Sequence, residues 1–214
     1  MYAFITDFPV TGVSQEYARV SLGVAIEFYR RCRGILIYTM QADPILFGVT
    51  GGVVQIDESV IAKRKYNVGR PPSEQKWVLG FYDVDRKVGH MEHVPNRSRE
   101  TLHNRILSNV APGSTIATDQ WAGYNGLSLH GYNHTTVNHS RNFVCPETGT
   151  HTQAIESFWN SSKSRLRSVK GSQGDNVWDH IAVSEYRFRF KLKKEDIRAA
   201  WSLFLEDVSL LYPF

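Results

Sequence analysis

The chain has 214 residues, 42% hydrophobic and 21% charged, with 25 Lys and Arg against 21 Asp and Glu for a net charge of +4. That is ordinary globular usage, with length for one mid-sized domain and an appendage, and it excludes wholesale disorder. No apolar run approaches the ~20 residues of a membrane-spanning helix, and the first residues carry no leader pattern, so no membrane partner is expected. Cys32 and Cys145, the only two cysteines, form neither a disulfide framework nor a zinc ribbon, which points to a reducing, intracellular setting.

Residues 11–34 read as two short helices around a turn at Leu22-Gly23-Val24, the second carrying Arg30, Arg31 and Arg33. A helix-turn-helix and a plain helical hairpin both fit. Gly48, Gly51 and Gly52 break the chain, so residues 1–48 are taken as a small helical segment and 49–214 as an α/β domain with C-terminal helices. In that domain Val53–Asp57 is a β-rich run ending in an acid. Trp77–Val84 and Gly89–Val94 are further strands about a turn at Asp85-Arg86-Lys87. Arg99–Val110 has helical spacing and stops at Pro112-Gly113. Thr115–Asp119 is a fourth strand, again ending in an acid, and His134–Asn138 a fifth. Thr152–Arg167 is a helix with a packing stripe of Ile155, Phe158, Trp159, Ser162 and Leu166. Helical spacing resumes at Val177, Tyr186–Lys193 fits strand or helix, and Ile197–Val208 is a last amphipathic helix ended by Pro213. Three hairpin-like strands, a helix, then two strands interleaved with helices is the order of a ribonuclease-H-like mixed sheet flanked by helices.

Three acids stand out: Asp57 and Asp119 at strand ends, 62 residues apart, and Glu156 in the first turns of the long helix, 37 further on. Carboxylates brought together repel one another, and a divalent cation relieves that repulsion. Mg²⁺ takes hard oxygen ligands and leaves positions open for water and phosphate. Lys163 follows Glu156 by 7 residues, which puts the two side chains within ~20° of one helix face and about 10.5 Å apart along the axis. Asn160 shares that face. Lys163, Arg165, Arg167 and Lys170 form one basic cluster, Lys63, Arg64, Lys65 and Arg70 a second, and Arg187, Arg189, Lys191, Lys193 and Lys194 a third. A solvated face explains any one of them, whereas three beside acidic chemistry suit a polyanion. Four histidines between His130 and His151 match no zinc spacing. Trp121 and Tyr124 read either as a platform for an unstacked base or as packing for the segment after Asp119.

The words around these acids are specific. Val54-Gln-Ile-Asp57-Glu-Ser59 precedes Lys63-Arg-Lys-Tyr-Asn-Val-Gly-Arg70. Thr118-Asp119-Gln-Trp121-Ala-Gly-Tyr124 comes next, then Gly131-Tyr-Asn-His134 with Val137-Asn-His-Ser140, and then His151-Thr-Gln-Ala-Ile-Glu156-Ser-Phe-Trp159 with Lys163. Together they resemble the DDE transposases of the Merlin and ISXO-like insertion-sequence group over roughly residues 50–170. The resemblance implies a catalytic core with Asp57, Asp119 and Glu156 as metal-binding acids and two Mg²⁺ ions, for which Mn²⁺ substitutes. It implies Lys163 as the accompanying basic residue and His139 and His151 on loops near the site, and the helix face and the basic clusters add Asn160, Arg167, Lys63, Arg64 and Lys65 as residues toward DNA. Cleavage of transposon ends and 3′-hydroxyl strand transfer into target DNA follow, carried out by an oligomer of the chain, in the nucleus of a eukaryotic host or the cytoplasm of a bacterial one. Members often carry an N-terminal zinc ribbon, and the missing cysteine pair fits a shortened copy. A decayed or host-adopted DNA-binding protein on the same fold is the competing reading, and a nuclease without strand transfer a third.

Overall fold

The computed structural model describes residues 1–17, 19–61, 76–137, 152–168, 176–192 and 196–213. The chain divides into two compact units, Ile45–Ser164 and a second made of Met1–Pro44 with Arg165–Phe214. It opens with α1 (Tyr2–Ile5), α2 (Val10–Gly12) leading into a π-helical stretch, and α3 (Leu22–Ala42). The turn expected at Leu22–Val24 is instead the first turn of α3, a single helix of 21 residues. Ser21 explains the difference: it is extended, and its hydroxyl accepts from the Val24 amide at 3.3 Å, so the helix starts there.

The sheet unit holds β1 (Val53–Val60), β2 (Trp77–Asp83), β3 (Val88–Val94), α4 (Arg99–Asn109), β4 (Thr115–Thr118), β5 (Asn133–Thr136) and the start of α5 (Gln153–Ser168). Strand order is β3-β2-β1-β4-β5. The first three strands are an antiparallel meander, and β4 and β5 run parallel to β1. This is the ribonuclease-H-like mixed sheet that the element order predicts. Two local expectations change. Asp57 does not close β1, because the ladder with β2 continues from Asp57–Gly80 to Val60–Trp77. The β4–β5 connection has no α-helix but two 3₁₀ turns, Ala122–Tyr124 and Leu127–His130, the second bounded by Gly126 and Gly131 at φ of +93° and +85°.

Alternation along β1 divides the sheet's contacts. Val54 and Ile56 face a core with Leu79, Phe81, Leu102, Ile106, Ile116, Tyr124 and Leu127, all fully buried. Gln55, Asp57 and Ser59 face α5. Each takes one hydrogen bond from it: Ile155 N to Gln55 Oε1 at 2.9 Å, Trp159 Nε1 to Asp57 Oδ2 at 3.0 Å and Lys163 Nζ to Ser59 Oγ at 2.7 Å. Two residues of strand rise ~6.6 Å and four of helix rise 6.0 Å, so α5 runs alongside β1 in step. Two glycines make room for its aromatics. A Cβ on Gly80 would lie 2.6 Å from Trp159, and one on Gly89 2.7 Å from Phe158.

In the other unit α3 packs with α6 (Asn176–Arg189) and α7 (Ile197–Leu211). Its core joins Phe4, Ile5, Cys32 and Leu36 to Val183, Tyr186, Ala200 and Phe204. The C-terminal helices therefore group with the N-terminal ones, where the sequence reading put them with the sheet. The stretch Tyr186–Arg189, with its period of two, is helical. Two cations of the third basic cluster are engaged, Arg187 with Asp7 at 3.4 Å and Arg189 with Asp43. Among the described residues no helix is long and apolar enough to cross a membrane.

Candidate active site

The register of β1 and β4 pairs Gln55 with Ala117. Asp57 and Asp119 each lie two residues beyond that pair, at the same end of these neighbouring parallel strands, Asp57 within β1 and Asp119 just past the end of β4. The charge of Asp119 acts on Asp57. The Asp57 carboxyl is raised to about 6, by burial first and then by the negative charges of Glu58 and Asp119, with the Trp159 hydrogen bond pulling the other way. Asp119 follows β4 directly and turns the chain: its Oδ1 accepts from the Trp121 amide at 2.9 Å, while the Thr118 hydroxyl donates to the Asp119 carbonyl at 2.7 Å.

Glu156 stands in the first turn of α5, a favourable place for a carboxylate against the helix dipole. It is exposed, one position on from Ile155, whose amide is fixed to β1. Asn160 is exposed one turn later, and Lys163 is half-buried, its ammonium 5.4 Å from the Trp159 ring centroid. Among the described residues no three Asp, Glu, His or Cys side chains are gathered closely enough to hold a metal ion. The structure therefore brings Asp57 and Asp119 together and sets Glu156 on the helix that binds Asp57. Lys63, Arg64, Lys65, His139 and His151 lie outside the described residues, as does the side chain of Arg167.

A second set of side chains lies on the opposite face of β1 and joins Trp121 and Tyr124, which the sequence singles out, to Glu58, Arg97 and Trp77, to which it assigns no role. Glu58 is buried there, accepting from the Tyr124 hydroxyl and from Arg97 Nη1 at 3.1 Å. The Arg97 guanidinium carbon lies 4.1 Å from the Trp77 ring centroid and 4.3 Å from that of Trp121. Tyr124 is fully buried and its hydroxyl is held protonated, by burial first and by Glu58 next. This network ties the strand of Asp57 to the turn that follows Asp119. Its signal was present in the alternation of β1, which sends Glu58 to the side of Val54 and Ile56, where a carboxylate needs partners.

The sequence profile of the ISXO2-like transposase domain matches residues 49–190. The chain belongs to this transposase family. An uncharacterized transposase-like protein of Haemophilus influenzae is 30% identical over 95 residues, which are 44% of this chain and 76% of that one. Among solved structures the catalytic core domain of BIV integrase is similar at a TM-score of 0.46 and 12% identity, over 76% of this chain and 99% of that one. The family match takes in the whole sheet, both aspartates, all of α5 and all of α6.

Proposed function

We propose that the chain is a metal-dependent DNA transposase, cleaving phosphodiesters at transposon ends and joining the freed 3′-hydroxyl to target DNA. The observation that carries this reading is the pair Asp57 and Asp119 at the same end of adjacent parallel strands of a ribonuclease-H-like sheet, in a chain of a transposase family. The donors suit a hard cation. All are carboxylates, and burial with the neighbouring negative charges of Glu58 and Asp119 opposes the ionisation of Asp57. Asp57, Asp119 and Glu156 would hold two Mg²⁺ or Mn²⁺ ions, which when bound activate the attacking oxygen and steady the leaving one.

The protein's own groups do the positioning. Trp159 fixes the Asp57 carboxylate through Oδ2, and the Trp121 amide fixes that of Asp119 through Oδ1. Glu156 supplies the third carboxylate from the start of α5. Lys163, Asn160 and Arg167 on the same helix meet phosphates beside the scissile one, and Lys63, Arg64 and Lys65 extend the cationic track. Two element ends must be held at once, so the working form is an oligomer.

Nicking of supercoiled plasmid in Mg²⁺ or Mn²⁺ tests the reading, with wild type beside Asp57→Asn, Asp119→Asn and Glu156→Gln. Wild type is expected to nick and each variant to lose at least about 100-fold. Mn²⁺ should raise the thermal midpoint of wild type and not of Asp57→Asn. Variants as active as wild type would remove the three acids from the chemistry.

A further inference from the structure

Trp121 is held still and yet exposed. Its amide binds Asp119 Oδ1 at 2.9 Å, and its indole Nε1 donates to the Arg97 carbonyl at 3.4 Å. One part of the ring has the Arg97 guanidinium 4.3 Å from its centroid, and the pyrrole edge lies over Gly123, where a Cβ would meet Nε1 at 2.7 Å. Arg97 is fixed in turn by Trp77 and by its ion pair with Glu58. Despite these contacts the residue remains 40% exposed. It offers an immobilised, electron-rich surface two residues from an acid of the site, with its ordering cost already met in the free protein.

We propose that Trp121 is the stacking platform for an unpaired nucleobase of the DNA strand engaged at Asp57 and Asp119. The base adds a layer to the Trp77–Arg97–Trp121 stack and sets the strand's position relative to the acids. Stacking accepts any base, so the residue contributes to affinity and placement and does not read sequence. The inference rests on the transposase reading, because it needs DNA at the turn that follows Asp119, where the Trp121 amide meets that carboxylate. Arg97 is the positioning residue behind the platform.

The test is the affinity of oligothymidylate and of an abasic deoxyribose-phosphate oligomer of equal length, measured by fluorescence anisotropy in Mg²⁺. The proteins are wild type, Trp121→Phe and Trp121→Leu, with circular dichroism and thermal midpoints as the check on folding. Trp121→Leu keeps bulk and loses the π face. It should bind oligothymidylate about tenfold more weakly than wild type and the abasic oligomer equally well, whereas Trp121→Phe should recover most of the loss. Equal loss for both oligomers, or no loss for oligothymidylate in a folded Trp121→Leu protein, would overturn the platform and leave the transposase reading standing. Failure of wild type to bind either oligomer would instead remove the DNA reading, and the platform with it.

Discussion

Asp57 and Glu58 are neighbours with opposite tasks, separated by the pleat of one strand. Asp57 faces α5 and keeps a carboxylate at the candidate site, where burial and nearby negative charge make its ionised form costly. Glu58 faces the apolar side and is consumed by Tyr124 and Arg97. Replacing a buried charge that has two partners leaves donors unsatisfied, at about 1–3 kcal/mol. Glu58→Gln is therefore expected to lower unfolding free energy by about 2 kcal/mol in urea titration, and Glu58→Ala by more, since it also opens a void. An unchanged midpoint in both would mean that the network contributes nothing to the fold. The candidate acids were legible because each falls within a recognisable word, although Asp57 lies inside β1 and not at its end. The Arg97 sandwich was not legible, since Trp77, Arg97 and Trp121 meet only after the sheet is assembled.

At the scale of elements, the site depends on how α5 is seated. The helix follows β1 in step through Gln55, Asp57 and Ser59, and its aromatics occupy space left by glycines in β2 and β3. Gly80 pairs with Asp57 across the ladder, so it opens the space through which the Trp159 indole reaches the carboxylate. Gly80→Ala places a methyl group 2.6 Å from the indole and must displace it. The expected cost is about 1–3 kcal/mol in stability, together with altered fluorescence of Trp159. Gly51→Ala is a poor control because of its positive φ, whereas Gly34, in α3 with open space around it, is a suitable one. A Gly80→Ala protein as stable as Gly34→Ala would show that α5 is not seated on that glycine. Among the described residues, period and turn residues revealed the five strands, α5, the start of α6 and α7, and left the end of α6 open between strand and helix. They did not reveal that β1 runs past Asp57, because its last residues, Glu58, Ser59 and Val60, are set by the ladder with β2 more than by their own pattern. Nor did they show that α3 is unbroken, since a glycine in its first turn reads as a break until the Ser21 cap is seen.

At the scale of the molecule, one compact unit is closed by residues from both ends of the chain. Cys32 on α3 is buried in a core with Phe4 and Leu36 from the first segment and Val183, Tyr186, Ala200 and Phe204 from the last. No local pattern carries this, because each helix shows an apolar stripe without saying which other stripe covers it. The thiol of Cys32 records the closure. Burial pushes it up to about 11, so at neutral pH it is neutral as well as inaccessible, and the thiolate is the reactive form. In a Cys145→Ser background, where Cys32 is the one thiol left, the native chain should react with a maleimide only as fast as the unit opens. Ending the chain at residue 195 removes Ala200 and Phe204 from the core, along with Asp207, the partner of the Tyr186 hydroxyl. Labelling of Cys32 should then accelerate by orders of magnitude toward the rate in denaturant, while the sheet unit, whose core is separate, keeps its own unfolding transition. Slow labelling of the shortened chain would show that α3 and α6 close the core without α7.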